Sequence, residues 1–430
     1  MSKTFRPYVP EQDLLLPPSV KDWLPDDHLA YFVSDLVDEL DLSAIVSPYE
    51  AEERGFPPYH PVMLTKVLLY AYCVGVFSSR RIERRLVEDV AFRVLAAGNH
   101  PDFRTISEFR RRHLAALEGL FVQVLRLARQ AGALQIGRVA IDGSKVKANA
   151  SKHKAMSYGR MQEREAQLNQ EVHHLLTQAE ATDAQEDAAH GRSRRGDDLP
   201  AELQRRTTRL ARIREAKRVL EERAKAAADA TSPPKETAKP EDKAQYNFTD
   251  PESRIMKGPD GFVQAYNAQI AVEATCQLIV GQAVTQDVND KQQLVPMIET
   301  VTAQSGDRAE EVLADNGYCS EANLAYAAAH DIEAYIATGR LKHDAPRPPC
   351  RGPLPKGATI TDRMRRRLRT KRGADVYRWR KAIVEPVFGQ IKHGRGFRQF
   401  LLRGIAKVRA EWALVCLTHN IVKCHGLICA

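Results

Sequence analysis

Three acids stand out by their surroundings. Asp142 and Asp315 each close a short apolar run, 136–141 and 311–314, and a glycine follows at once or one residue later. Such runs read as buried strands, so each carboxylate is delivered at the edge of a rigid sheet, where glycine lets backbone or a ligand approach closely. Glu385 is a lone acid among the cations of 378–398, on a stretch with helical patterning. Ion pairing is one account of it. The other is that the three carboxylates converge on two divalent cations. Hard oxygen donors suit magnesium, with manganese as a substitute. Two such ions ~3.5–4 Å apart activate an attacking oxygen and stabilise the leaving one in a displacement at phosphorus.

Other groups compete with these. Asp287 and Asp290 read as capping acids of a helix over 290–304. Cys416, His419, Cys424, His425 and Cys429 are zinc-type residues, but their spacing fits no common finger, and the surrounding AEWALVCLTHNIVKC reads as a buried helix. His153 reads as a phosphate-facing or surface group. Tyr318 and Phe388 are candidates for stacking on bases, with core packing favoured for Phe388.

Charge places the partner. The chain of 430 residues carries a formal charge of +9, yet residues 351–403 hold sixteen Lys or Arg against three acids, a net of +13, which leaves −4 for the rest. Cations this dense repel one another and are stable in water or against a polyanion. A second cluster at 80–112 has nine Arg against five acids. Two basic patches suit a protein that grips DNA at two places. With 43% hydrophobic and 28% charged residues the chain is globular rather than disordered. No apolar run approaches the ~18 residues of a membrane span, the first residues lack the apolar core of a secretory signal, and seven scattered cysteines form no disulfide framework. These features point to a cytoplasmic protein, nucleoid-associated when bound to DNA, with no membrane partner.

The elements that position these groups follow from periodicity. Residues 1–135 read as helical: a start at Pro25-Asp26-Asp27 precedes Leu29, Phe32, Val33, Leu36, Val37 and Leu40, and a second helix runs from Pro61 to a stop near Gly75. Ser78 or Ser79 caps a third, with Ile82, Leu86 and Val90 on one side and Arg80, Arg81, Arg84 and Arg85 on others, the outline of a helix-turn-helix. A further helix from about Thr105 carries Phe109, Leu114 and Leu117. Past the first strand, Met161, Leu168, Val172, Leu175 and Ala179, and then Leu203, Leu210, Ile213 and Leu220, predict an antiparallel helical hairpin around the loop at 190–200, closed by the Pro-rich 231–243. Strands return at 262–272, 277–284, 311–314 and 332–337, with a helix after Ser320 and a final helical segment from Ala374.

The motifs VAIDGSKVKANASK at 139–152, VLADNGYCS at 312–320 and KAIVEPVFGQIKHGRGFRQFLLRG at 381–404 together resemble the DDE-type bacterial insertion-sequence transposases. The stretch PPYHPVMLTKVLLYAYCVGVFSSRRIERR, with FRTISEFRRRH after it, is similar to the N-terminal domain of the same group. The resemblance implies an α/β RNase H-like core, a mixed five-stranded sheet flanked by helices, at 136–430. A helical DNA-binding domain at 1–135 precedes it, and a helical hairpin at 150–245 interrupts it. It implies Asp142, Asp315 and Glu385 as catalytic residues and ligands of two magnesium ions. The family's signature round the glutamate is Tyr, two residues, Arg, three residues, Glu, six residues, Lys. Here Glu385 and Lys392 keep their gap, Lys381 stands in the arginine slot without the bidentate fork, and Arg378 in the tyrosine slot. Lys381, Lys392, Arg395 and Arg398 are then the expected DNA contacts beside the site. Pro386 interrupts one helical hydrogen bond and places Glu385 at a helix start or kink. The implied activity is metal-dependent cleavage of element ends and transfer of the 3′ hydroxyl into target DNA, by a homodimer holding two terminal repeats. The alternatives left open are an RNase H-like nuclease without strand transfer and a non-catalytic repressor bound to terminal repeats.

Overall fold

The computed structural model describes residues 19–51, 57–190, 201–229, 239–258, 261–339 and 351–429. The loop expected at 190–200 lies outside these residues but for His190, as do 231–238 of the Pro-rich segment and 340–350 of the basic segment's approach.

The first part is helical throughout: α1 (Leu29–Asp38), α2 (Ser43–Glu50), α3 (Pro61–Cys73), α4 (Ser79–Glu88), α5 (Val90–Leu95), α6 (Phe103–Arg112) and α7 (Leu114–Gln130). His28, not Asp26 or Asp27, caps α1, its Nδ1 accepting from the Ala30 amide at 3.1 Å. The helix expected from Thr105 through Leu117 is two, broken at His113. The α3–α4 turn passes through Gly75 at φ +76°, where a side chain would strike the Arg395 carbonyl at 2.6 Å, so only glycine fits.

The sheet is built of β1 (Arg138–Lys147), β4 (Arg254–Gly258), β5 (Gly261–Glu273), β6 (Ile279–Thr285), β7 (Glu311–Ala314) and β8 (Glu333–Ile336). Its five main strands lie in the order β6-β5-β1-β7-β8, with β1 antiparallel to β5 and parallel to β7. The sixth strand, β4, has no counterpart among the expected strands; it pairs antiparallel with the first residues of β5. Helices α10 (Leu294–Ser305) and α11 (Glu321–Ala329) connect the parallel strands.

Between β1 and β4 the chain leaves the sheet for α8 (Tyr158–His190) and α9 (Ala201–Asp229), joined at their base by the β2 (Ala155–Ser157) and β3 (Gln245–Asn247) ribbon. Met161, Leu168, Leu210, Ile213 and Leu220 bury one another there in a small cluster separate from the main core. Glu165 binds Arg214 at 3.0 Å and Lys217 at 2.6 Å across the pair, while Glu171 binds Arg206 at 3.5 Å, so the helices run antiparallel as their spacing predicts.

The last part does not remain one helix from Ala374. After α12 (Ile360–Arg369), α13 (Lys371–Gly389) passes into a π turn at Gln390–Gly394, the chain crosses beside β1, and α14 (Ile405–Ile428) follows. α14 is buried along Ala410–Ile421 and packs against α3, α7 and β6. One continuous apolar cluster therefore runs from Ala30 to Ile421, so the N-terminal helices share a core with the sheet.

Candidate active site

Parallel register brings the first two acids together. Ile141 of β1 pairs with Ala314 of β7, so the next residue on each strand, Asp142 and Asp315, stand side by side. Asp142 is not at a strand end as expected: β1 runs on to Lys147, because β5 pairs with it from Val139 to Lys147. Asp315 does leave its strand, and its Oδ1 accepts from the Gly317 amide at 2.7 Å in a tight turn.

Glu385 arrives from α13, in the helix interior rather than at its start. Pro386 cannot donate to the Ala382 carbonyl; the side-chain amide of Gln277 does so instead, at 2.8 Å, and the helix continues. The π turn that follows sets Lys392, whose Nζ donates to the Ser144 hydroxyl and to the Lys145 carbonyl at 3.1 Å. Lys392 is thus anchored on β1 two residues from Asp142.

Arg380 occupies the middle of this arrangement. Its guanidinium lies 3.2 Å from Asp142 and 3.5 Å from Glu385, and its side chain is buried. Lys381, expected in the arginine slot, is on the exposed side of α13. The signature's Tyr–two–Arg spacing is kept instead by Tyr377 and Arg380, with one residue more before Glu385. That spacing is the signal in the chain that marks Arg380.

The electrostatics follow from burial and crowding. Burial first, and the neighbouring Asp315 second, push Asp142 up to about 6 despite Arg380. Burial works against the Arg380 cation, but Asp142, Tyr377, Asp315 and Glu385 hold it above its ordinary value. Lys145 and Lys392 are both lowered, chiefly by burial, with Asp142 opposing the shift in each. Two like carboxylates side by side in a half-buried place favour any cation that reaches them. Among the described residues no three acids, histidines or cysteines are gathered closely enough to hold an ion, since Arg380 lies between Asp142 and Glu385. The donor set is nevertheless the hard-oxygen kind that magnesium takes, and the strand pair meets it on rigid backbone.

The structure sorts the remaining candidates. Arg80, Arg81, Arg84 and Arg85 are exposed on α4, opposite buried Ile82 and Leu86, and Arg398 is exposed beside His393. Arg395 turns inward: its guanidinium donates to Thr418 Oγ1 at 2.8 Å and the Val415 carbonyl at 3.1 Å, binding the π turn to α14. Its expected DNA contact is corrected accordingly, since those bonds and burial enclose the charge. Tyr318 is fully buried, with its hydroxyl donating to Gln269, so it offers no face for stacking. Phe388 packs near Trp412, and His153 is exposed. The zinc-type group is spread along α14: Cys416 is buried, His419 faces the Gln277 carbonyl, and His425 faces that of Asp27. Asp290 does not cap α10, which begins at Leu294 after Gln293. Its carboxylate turns to the sheet, where Asn267 and Gln269 donate to it at 2.6 and 2.8 Å and Lys145 lies at 3.4 Å. Asn267 and Gln269 alternate as polar residues in the buried middle of β5, and that alternation is the visible signal of this pairing.

Two family models match the chain. A transposase domain, DUF772, matches residues 18–112, and a transposase DDE domain matches 355–425. The second covers Arg380, Glu385 and Lys392; Asp142, Asp315 and the hairpin lie outside both. No curated protein and no solved structure matches the chain. The two matches, a transposase domain first and a transposase DDE domain last, support an insertion-sequence DDE transposase.

Proposed function

We propose that the sheet with α13 is an RNase H-like catalytic core in which Asp142, Asp315 and Glu385 carry out DNA cleavage and strand transfer. The observation that carries this reading is the register that sets Asp142 beside Asp315, with Glu385 reaching the same Arg380 from a later helix. The strand order β6-β5-β1-β7-β8, three antiparallel neighbours followed by two parallel ones, is the order such a core requires.

DDE transposases act on DNA and generally use divalent metal ions. Asp142, Asp315 and Glu385 would hold two magnesium ions, which supply charge stabilisation to the attacking and leaving oxygens when bound. The residues do the positioning. Lys392, fixed on β1, grips a backbone phosphate next to the carboxylates. Arg380 neutralises Asp142 and Glu385 in the free protein and would be within reach of a backbone phosphate beside them. Lys381 and Arg398, exposed on the same segment, extend the grip along the duplex. Water hydrolyses the element's ends, and the freed 3′ hydroxyl then attacks target DNA; both are phosphoryl transfers that need no protein nucleophile.

The helices of 1–135, with Arg80, Arg81, Arg84 and Arg85 of α4, read the terminal inverted repeats, and the 136–430 part, interrupted by 150–245, does the chemistry. Two ends held in one complex imply a homodimer on DNA. Among the described residues no helix is long and apolar enough to cross a membrane; the protein works in the cytoplasm, on the nucleoid. The test is incubation with the flanking terminal repeats and magnesium, scoring cleavage and joining separately. Cleaved ends that join a target plasmid are expected. Cleavage without joining leaves a nuclease, and binding without cleavage leaves a repressor.

A further inference from the structure

β1 outruns its parallel neighbour. The register with β7 ends at Ile141 and Ala314, and β1 meets its next partner on that side at Lys147, which bridges Gln399. Residues 143–146 therefore form a stretch of edge, directly past Asp142, that no described strand covers. Side chains along it alternate between the two faces of the sheet. On one face the Ser144 hydroxyl is bonded by Lys392. On the other stands Lys145, paired across the ladder with Asn267 of β5. Its side chain is 17% exposed, and among the described residues its ammonium has a single partner, Asp290 Oδ1 at 3.4 Å. Asp290 does not depend on that contact. Asn267 Nδ2 and Gln269 Nε2 donate to the same oxygen at 2.6 and 2.8 Å, both residues are fully buried, and the buried Tyr318 hydroxyl donates to Gln269 behind them. A side chain at Gly143 would strike Gln269 Nε2 and come within 2.8 Å of Asp290 Oδ1, so glycine lets this network sit against β1 next to Asp142. The carboxylate is thus fixed by the sheet, and the flexible partner in the pair is the lysine. Burial lowers Lys145, while Asp290, Asp142 and Asp315 oppose the shift, so its charge faces all three acids. A half-buried ammonium with one long contact beside the strand acids has N–H donors left for an anion.

We infer that Lys145 is a second phosphate-binding residue for the DNA substrate, aimed by Asp290 so that it meets the backbone phosphate beside Asp142 and Asp315 from the face opposite Lys392. The inference rests on the reading of those acids as the place of phosphoryl transfer. Asp290 is then a positioning residue that acts through Lys145, and the buried Asn267–Gln269 pair is what holds it in place.

The test is binding of the full-length protein to duplex DNA carrying the flanking terminal repeats, measured without divalent ions over a range of about 50 to 200 mM salt. Lys145→Met keeps the length of the side chain and removes its charge. Losing one phosphate contact is expected to reduce the slope of log affinity against log salt by about 0.9, while Lys145→Arg keeps the wild-type slope. An unchanged slope in Lys145→Met overturns the phosphate contact; should that variant fold poorly, Lys145→Gln is read in the same assay with the same expectation. Asp290→Asn separates aim from mere charge. Removing a negative charge beside DNA tightens binding if Lys145 acts only through the local field, whereas a lysine that has lost its holder grips phosphate less well. Weaker binding is expected, with no further loss when Asp290→Asn is added to Lys145→Met; tighter or unchanged binding overturns the positioning role. Magnesium-dependent cleavage by Asp142→Asn separates the failures. An inactive Asp142→Asn with a wild-type slope in Lys145→Met overturns the role of Lys145 alone, and an active Asp142→Asn overturns the reading of the site.

Discussion

Two sets of carboxylates in this molecule are treated in opposite ways. Glu273 and Glu411 are buried and closed off by backbone amides. Glu273 takes Thr275 at 2.7 Å, Cys276 at 2.6 Å and Leu278 at 3.1 Å, which folds the β5–β6 turn round it. Glu411 takes the amides of Leu401 and Leu402 on both its oxygens and so fixes the crossing chain that runs beside β1. Asp142 and Asp315, by contrast, stand side by side and take one amide each on Oδ1, from Gly143 at 2.8 Å and Gly317 at 2.7 Å, while Asp142 Oδ2 meets Arg380 at 3.2 Å. Amides that cannot leave make a carboxylate part of the scaffold; oxygens left open make it a site. The difference shows how the chain gives up stability on its central strands and recovers it elsewhere.

The comparison predicts opposite responses to neutralisation. Glu273→Gln replaces one accepting oxygen by a donor facing the Thr275 amide, and a loss of about 3 kcal/mol in unfolding free energy is expected in chemical denaturation. Glu411 gives a pH signature. Burial raises it from an ordinary 4.5 to about 7, against the opposing amides and Arg110. Its neutral form is the one favoured in the fold. Its contribution is therefore complete below about 4.5 and is lost as pH rises through about 7, amounting to roughly 3 kcal/mol. Denaturation from pH 4.5 to 8 is expected to show this decline, and Glu411→Gln to flatten it; an unchanged slope would remove Glu411 from the scaffold set. The smallest effect is expected at the open set. Asp142→Asn relieves repulsion with Asp315 while weakening one bond to Arg380, so stability is expected to move by no more than about 1 kcal/mol, upward if repulsion dominates. A loss as large as that of Glu273→Gln would erase the distinction between the two sets.

Much of this is legible in the chain. Apolar runs of four to six residues locate β1 and β7 because buried parallel strands have no polar face to confuse the pattern. The hairpin's heptads likewise locate α8 and α9. Legibility fails where a tertiary partner overrides a local rule. Pro386 ought to break α13, and Gln277, more than a hundred residues away, supplies the missing donor. Asp290 has the position of a capping acid, but the buried Asn267–Gln269 pair claims it, and strand register, which sequence spacing does not reveal, decides that claim. Arg380 and Lys381 are adjacent cations on one helix; the Tyr377–Arg380 spacing marks the first, and the packing of α13 on β1 turns it to the acids. Charge density alone makes Arg395 a DNA contact, and the acceptors that α14 offers, Thr418 Oγ1 and the Val415 carbonyl, hold it inward.

The central claim is that the open set does the chemistry. Asp142→Asn, Asp315→Asn and Glu385→Gln, made singly, are each expected to abolish magnesium-dependent cleavage at the terminal repeats while retaining wild-type DNA binding and thermal stability. Cleavage that persists at a rate near wild type in any one of the three would contradict the assignment of that acid, and with it the division between scaffold and catalytic carboxylates.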